Sequence, residues 1–271
     1  MIRSRGTSGG LVLCALVLAG CGAAPATSPT PGSTASPTSP PVPPTVVVFT
    51  GTGGFRHESI DAGREALREI AGGFGAFGAF EIVETEDPAE VRAELASASA
   101  LVLLNTTGDV FDARTEGVVE RFVDGGGGLV GVHAATDTEH DWAWYRDAIG
   151  AEFVSHPAVQ EAVVRVVAEH PSVDGWPREQ TRRDEWYNFA AALPPDFTLL
   201  LSVEEASYDP GADAMGAVHP VAWCRSGPGE GEVWYTALGH ESSAYADRDF
   251  RALLAGGIAS VLGDGCQNGE R

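Results

Sequence analysis

The chain predicts an α/β fold built on a mainly parallel central sheet, and three observations carry that prediction. Short apolar runs recur along residues 45–263, and each of the first three is followed by a segment of helical spacing. The early runs at 46–49, 101–104 and 129–132 carry no polar side chain at any position, the pattern of strands buried on both faces. Strand and helix patterns also alternate, as they must where crossover helices join parallel strands.

The elements follow in order. Val46-Val47-Val48-Phe49 reads as the first buried strand. Ile60, Ala66, Leu67 and Ile70 have the spacing of an amphipathic helix, ended by Gly72-Gly73. Phe80-Glu81-Ile82-Val83 is the second strand and residues 89–95 a short helix. Leu101-Val102-Leu103-Leu104 is the third strand, residues 113–123 a helix, and Leu129-Val130-Gly131-Val132 the fourth strand. The later half is richer in strands, at residues 162–167, 197–203, 218–223 and 232–237, and a helix over 250–261 closes the domain. The glycines 125–128 follow a helix and precede a strand, the reverse of a phosphate-binding loop, and read as a turn.

The N-terminus has a different character. Arg3 and Arg5 precede the apolar stretch Leu11 to Leu18, as in a secretory signal over residues 1–20. That stretch is shorter than the roughly 20 apolar residues a membrane-spanning helix needs. Leu18-Ala19-Gly20-Cys21 resembles a bacterial lipobox, in which cleavage precedes a cysteine that is then lipidated. The plainer reading is a cleaved signal with Cys21 incidental. Lipidation anchors a protein without making it span, so the expected location is extracytoplasmic, held to the cell membrane through Cys21. Residues 21–44 are rich in Pro, Ser and Thr without apolar periodicity and read as a disordered tether. Residues 45–263 form the domain and 264–271 a short tail.

Composition narrows the partners. The formal net charge is −21, which argues against nucleic acid and against anionic lipid surfaces beyond the anchor. All 17 basic residues are Arg, which removes Schiff-base chemistry and the Lys of a P-loop. Outside the signal and the anchor, Cys224 and Cys266 remain. They allow one disulfide in an oxidising compartment, and a buried free thiol at Cys224 is an equal reading.

Six motifs occur in order along the domain: Leu104 to Asp109; Gly131 to Asp137 with Trp142, Trp144 and Tyr145; His156-Pro157; Asp184 to Phe189; His219-Pro220; and Leu238-Gly239-His240. Together they resemble the ThuA-like (trehalose utilisation) family over nearly all of residues 46–263. The resemblance implies a flavodoxin-like sandwich similar to the class I glutamine amidotransferases, and a link to sugar metabolism, in some members beside oxidoreductases that make 3-keto sugars. Those amidotransferases carry a nucleophilic Cys on the sharp turn after a strand. Here His133 stands near that turn with no Cys or Ser, so glutamine hydrolysis is not expected. Within the family an Asp usually precedes the His-Pro pair, whereas Val218 precedes His219 here.

The candidate site follows from strand ends, where open α/β sheets bind ligands. His133, His57 and His240 are the catalytic candidates, with His133 as general acid or base because imidazole titrates near neutrality. Asp109, Asp137, His156, Glu185, Trp186, Tyr187 and His219 are the substrate-binding candidates, carboxylates and aromatic faces being suited to sugar hydroxyls and rings. Each has a structural alternative: Asp109 or Asp137 as a helix cap, Trp186 and Tyr187 as core, the histidines as satisfied buried groups. The expectation is that His57, His133, His219 and His240 converge on one cleft. A cleft-facing His133 should be replaceable within about 1 kcal/mol of stability. No cofactor is predicted. The domain has no local H-x-E or H-x-x-x-H spacing, although a divalent metal held by distant residues stays open. The expected ligand is a small carbohydrate or oxidised glycoside, handled by His-based acid/base chemistry. The rival is a non-catalytic carbohydrate-binding lipoprotein, and a purely structural envelope protein would need no shared cleft.

Overall fold

The computed structural model describes residues 42–263 and 265–266. The signal, Cys21, almost all of the tether and most of the 264–271 tail lie outside the described residues. No helix among the described residues is long and apolar enough to cross a membrane.

The first half is strand–helix alternation as the sequence predicts: β1 (Thr45–Phe49), α1 (Ile60–Ala71), β2 (Glu81–Thr85), α2 (Pro88–Glu94), β3 (Ala100–Leu104), α3 (Ala113–Asp124) and β4 (Gly128–Val132). After β4 come α4 (Ala143–Ile149), β5 (Phe153–Ser155), β6 (Gln160–Val166), β7 (Glu179–Asp184), β8 (Asn188–Phe189), β9 (Thr198–Val203), β10 (Pro220–Ser226), β11 (Glu232–Thr236) and α5 (Arg248–Leu262). The sequence reading misses α4, β5, β7 and β8. The β7 run Glu-Gln-Thr-Arg-Arg-Asp is polar because it is the edge strand, paired only with β6, and an edge strand needs no continuous apolar face.

One sheet runs in the order β2-β1-β3-β4-β11-β10-β9-β6-β7. Its first five strands are all parallel, in the 2-1-3-4-5 order of flavodoxin-like folds. The other four extend it antiparallel from β11. β5 and β8 pair separately.

The period-2 alternation of each strand divides the core between the two faces. Val46, Val48, Val102, Leu104, Val130, Val132 and Trp234 face α1 and α5, meeting Leu67, Ile70, Leu253 and Leu254. Val47, Phe49, Leu101, Leu103, Leu129 and Tyr235 face α2, α3 and α4, meeting Val91, Val119, Tyr145 and Ile149. Helix α5 lies flush on the sheet, because a Cβ at Gly257 would come within 2.4 Å of the Trp234 ring. Asp87, Asp112 and Asp247 cap α2, α3 and α5 through their side chains. Cys224 on β10 is disulfide-bonded to Cys266, so the equal alternative of a free thiol does not hold here.

Candidate functional site

The parallel strands place their carboxyl ends on one edge, and four loops leave that edge with polar cargo. After β1 the chain reaches His57, and after β3 it turns at Asn105, after β4 at His133 and after β11 at His240. The segment after β7 brings Glu185 and Tyr187 to the same place. Asn105 and His133 follow strands that pair in register, and both have positive φ, 52° and 51°. A non-glycine residue there is uncommon and marks a position that its surroundings must hold. The hold at His133 is visible. The Tyr235 hydroxyl donates to its carbonyl at 2.7 Å and accepts from Thr136 at 2.9 Å.

The turn carrying His240 is held as firmly. Gly239 has φ 119°, and a Cβ there would come within 2.7 Å of the Tyr245 hydroxyl. Ser59, at the start of α1, donates its hydroxyl to the Gly239 carbonyl at 3.1 Å and accepts from Asn105 at 2.8 Å, leaving the helix without a side-chain cap. Buried Asp184 accepts the backbone N–H groups of Glu185, Gly239 and His240 at 2.9–3.1 Å. One carboxylate thus locks the Glu185 and His240 backbones together.

Within this frame His57, His133, Glu185 and His240 each present a ligand-type atom, and these four atoms all lie within 4.8 Å of one another. The imidazoles of His57 and His133 meet edge to face with centroids 4.8 Å apart, and each is 5.4 Å from His240. Nδ1 of His133 is 2.7 Å from the Ala237 carbonyl, which can only accept, so that nitrogen carries the proton in the neutral ring. Its Nε2 then faces the Tyr187 hydroxyl at 3.1 Å and Glu185 Oε2 at 3.6 Å. The Tyr187 ring leans on His133 at 4.5 Å and on Phe153 at 4.2 Å. Oε1 of Glu185 contacts His156 Nδ1 at 3.0 Å, and Oε2 contacts His240 Nδ1 at 3.1 Å.

The electrostatics follow from this crowding. Burial, reinforced by the neighbouring His133 and His240, lowers the His57 pKa to about 3, so that ring is neutral at ordinary pH. Burial opposes ionisation of Glu185, but contact with His133 and His240 outweighs it and holds the carboxyl well below the usual range. The same Glu185 contact raises His240 against the effect of burial. Burial raises the Tyr187 phenol, which stays protonated as a donor.

The structure brings together some of the sequence-predicted residues and separates others. His57, His133, His240 and Glu185 form the cluster, with Tyr187 and half-exposed His156 at its border. His219 stands outside it. Its Nε2 donates to the Tyr187 carbonyl at 2.8 Å and its Nδ1 faces Glu205 and Tyr208, both at 3.0 Å, so it supports the Tyr187 backbone from behind. Trp186 is core, its indole N–H donating to the Gln160 carbonyl, because neighbouring residues of an extended segment point to opposite sides. Asp137 does not orient His133 but pairs with His140 at 3.0 Å. Asp109 is exposed, and the cap of α3 is Asp112. His133 itself is wholly buried, which revises the expectation that its replacement is nearly free in stability.

Sequence reasoning assigns no role to Asp184, Ser59 and Asn105, the polar residues that build the frame, although the motifs Leu104 to Asp109 and Asp184 to Phe189 contain two of them. A cavity of about 400 Å³ opens beside His57 and His240 and is lined also by Phe55, Glu58, Ser59, Glu241, Ser242 and Ser243. Phe55 is 65% exposed at its mouth. His57, His133 and His240 with Glu185 are also the one group among the described residues whose donor atoms gather closely enough to hold a metal ion.

The fold is similar to a ThuA-like protein of Bacteroides uniformis, with TM-score 0.66 and 20% identity over 86% of this chain and 98% of that one. It is similar to a ThuA-like protein of Parabacteroides merdae, with TM-score 0.66 and 18% identity over 83% and 92%. A cytoplasmic protein of Salmonella typhimurium shares the fold at TM-score 0.57 and 10% identity, over 80% and 99%. No protein with a curated description matches the sequence. The family model ThuA, described as trehalose utilisation, matches residues 45–260, and the chain belongs to the ThuA family.

Proposed function

We propose that this ThuA-family protein is an extracytoplasmic, lipid-anchored enzyme that acts on a sugar or an oxidised (3-keto) glycoside through His-based acid/base chemistry. The observation that carries the reading is the gathering of three imidazoles and one carboxylate at the carboxyl edge of the sheet, with His57 and His240 opening onto a polar cavity and His133 and Glu185 buried behind them. The family description supports a sugar. Exposed Phe55 offers an apolar face to sugar C–H groups, and the Glu and Ser lining offers partners for hydroxyls.

The chemistry suits a ketone beside a glycosidic carbon. A base removes the proton on C2, the charge moves onto the C3 oxygen as an enolate, and the C1–O bond breaks as the leaving oxygen takes a proton. We assign the base to His133 through Nε2, which the substrate reaches only once the Tyr187 hydroxyl facing it gives way, with His57 and His240 polarising the carbonyl oxygen and His156 supplying a proton at the rim.

Purified protein is tested against trehalose, other glycosides and their 3-keto forms, with turnover and ligand binding followed together. Saturable turnover of one class is the expected result. Binding without turnover moves the protein to the carbohydrate-binding lipoprotein reading, and neither binding nor turnover removes the sugar. For the anchor, Cys21→Ser is expected to leave the membrane fraction or to accumulate as precursor; processed protein retained in the membrane counts against it.

A further inference from the structure

We propose that His57, His133, Glu185 and His240 form a four-donor binding site for a divalent transition metal of the zinc class, able to take a fifth ligand from the cavity side by expanding its coordination. The proposal rests on reading this cluster as the reacting centre and deepens that reading. Three imidazole nitrogens and one carboxylate are the donors zinc prefers, in the number a tetrahedral site requires, and zinc sites can expand to admit a further ligand. At zinc–donor distances of about 2.0–2.2 Å, neighbouring donors in a tetrahedron sit roughly 3.4 Å apart. Two pairs already bracket that spacing, His240 Nδ1 to Glu185 Oε2 at 3.1 Å and His133 Nε2 to the same oxygen at 3.6 Å. The whole set lies within 4.8 Å, so side-chain rotation closes it without moving the frame.

Two atoms of the cluster lack partners. Nδ1 of His57, whose side chain belongs to a residue only 6% exposed, makes no hydrogen bond. Nδ1 of His240 is close to Glu185 but off hydrogen-bonding geometry and is also unsatisfied. A buried polar atom without a partner is costly, and a ligand at the cluster is the economical explanation for two in one place. His170 also has an unpartnered ring nitrogen, but no set of donors gathers around it among the described residues. An orphan nitrogen alone therefore does not produce such a cluster.

The surroundings have the form of an outer coordination shell. The Ala237 carbonyl fixes the proton of His133 on Nδ1, which turns the Nε2 lone pair inward. His156 holds the second oxygen of Glu185 at 3.0 Å. Asp184 ties down the backbones of two ligands at once. With an ion held, the three imidazoles become ligands. Such an ion would supply Lewis-acid polarisation, leaving proton transfer to His156 and to the Tyr187 hydroxyl.

The full chain, purified in detergent and stripped with chelator, is titrated with Zn²⁺ and, separately, Co²⁺. The expected result is one ion per chain, with the intense visible absorption of four- or five-coordinate Co²⁺. Glu185→Gln and His57→Ala are each expected to weaken binding at least tenfold, with His140→Ala as a control that leaves it unchanged. Far-UV circular dichroism in chelator shows that each variant is folded. No stoichiometric binding by wild type, or equal affinity in the Glu185→Gln/His57→Ala double variant, overturns the metal site. The same samples are assayed on the sugars above. Full turnover in chelator overturns any part for the ion in the reaction and leaves the sugar enzyme. Stoichiometric metal without turnover on any sugar leaves the metal site and overturns the sugar enzyme.

Discussion

Nδ1 of His133 lies 2.7 Å from the carbonyl of Ala237, joining the turn after β4 to the end of β11. This bond selects the tautomer of His133 and keeps its Nε2 toward Glu185. It also means that one side chain serves the site and the fold together.

His133→Ala is therefore expected to show two effects. Turnover on the substrate that the sugar screen identifies falls by about 10²–10⁴, as for the loss of a proton-transfer group or of a residue that holds one in place. Stability falls by about 1–3 kcal/mol, because the Ala237 carbonyl is left buried without a donor. Urea unfolding and initial rates on the same samples check both. Unchanged turnover would remove His133 from the reaction.

Asp184→Asn replaces an acceptor of three backbone N–H groups with a side chain that must point its own NH₂ at one of them. We expect a loss of about 1–3 kcal/mol in stability, together with weaker metal binding, since the Glu185 and His240 backbones are no longer held. An unfolding midpoint equal to wild type would show that the carboxylate does not hold these turns.

The Cys224–Cys266 bond closes a loop of sequence separation 42. Loop-closure entropy for that length is worth about 4 kcal/mol. Cys266→Ser is expected to lower the guanidinium midpoint accordingly, and a reducing agent should bring wild type to the same value. Insensitivity of wild type to reduction would show that the bond contributes nothing to stability.

His170 gives a pH signature away from the site. Burial lowers its pKa from 6.5 to about 4, with nearby Asp174 opposing the shift. Its Nδ1 accepts the backbone N–H of Ser172, which fixes the neutral ring. The unfolded chain takes up this proton near pH 6.5 and the folded chain only near pH 4, so the unfolded state binds more protons in between. The contribution to stability is present above pH 6.5 and is lost as pH falls toward 4. His170→Asn keeps an acceptor for Ser172 and does not titrate, so its acid-side loss over this window should be smaller than that of wild type. Parallel curves for the two proteins would rule the histidine out as the source.

Much of this protein is legible in its sequence. Continuous apolar runs at Val46–Phe49, Leu101–Leu104 and Leu129–Val132 determine the parallel strands, because strands buried on both faces tolerate no polar residue. The ends of the first and third of these runs, with that of the 232–237 run, in turn nominate His57, His133 and His240, since parallel strands finish on one edge. Glu185 and Tyr187 are legible as chemistry but not as place. They follow β7, an edge strand whose polarity hides it, and the lock that carries them to the site is the Asp184 carboxylate on backbone amides 55 and 56 positions away. The separation of Tyr187 from Trp186, and of His133 from His219, is likewise decided by the fold. Residue type does not say which side of an extended segment faces the cleft, and only tertiary packing supplies the Tyr187 and Ala237 carbonyls that orient His219 and His133.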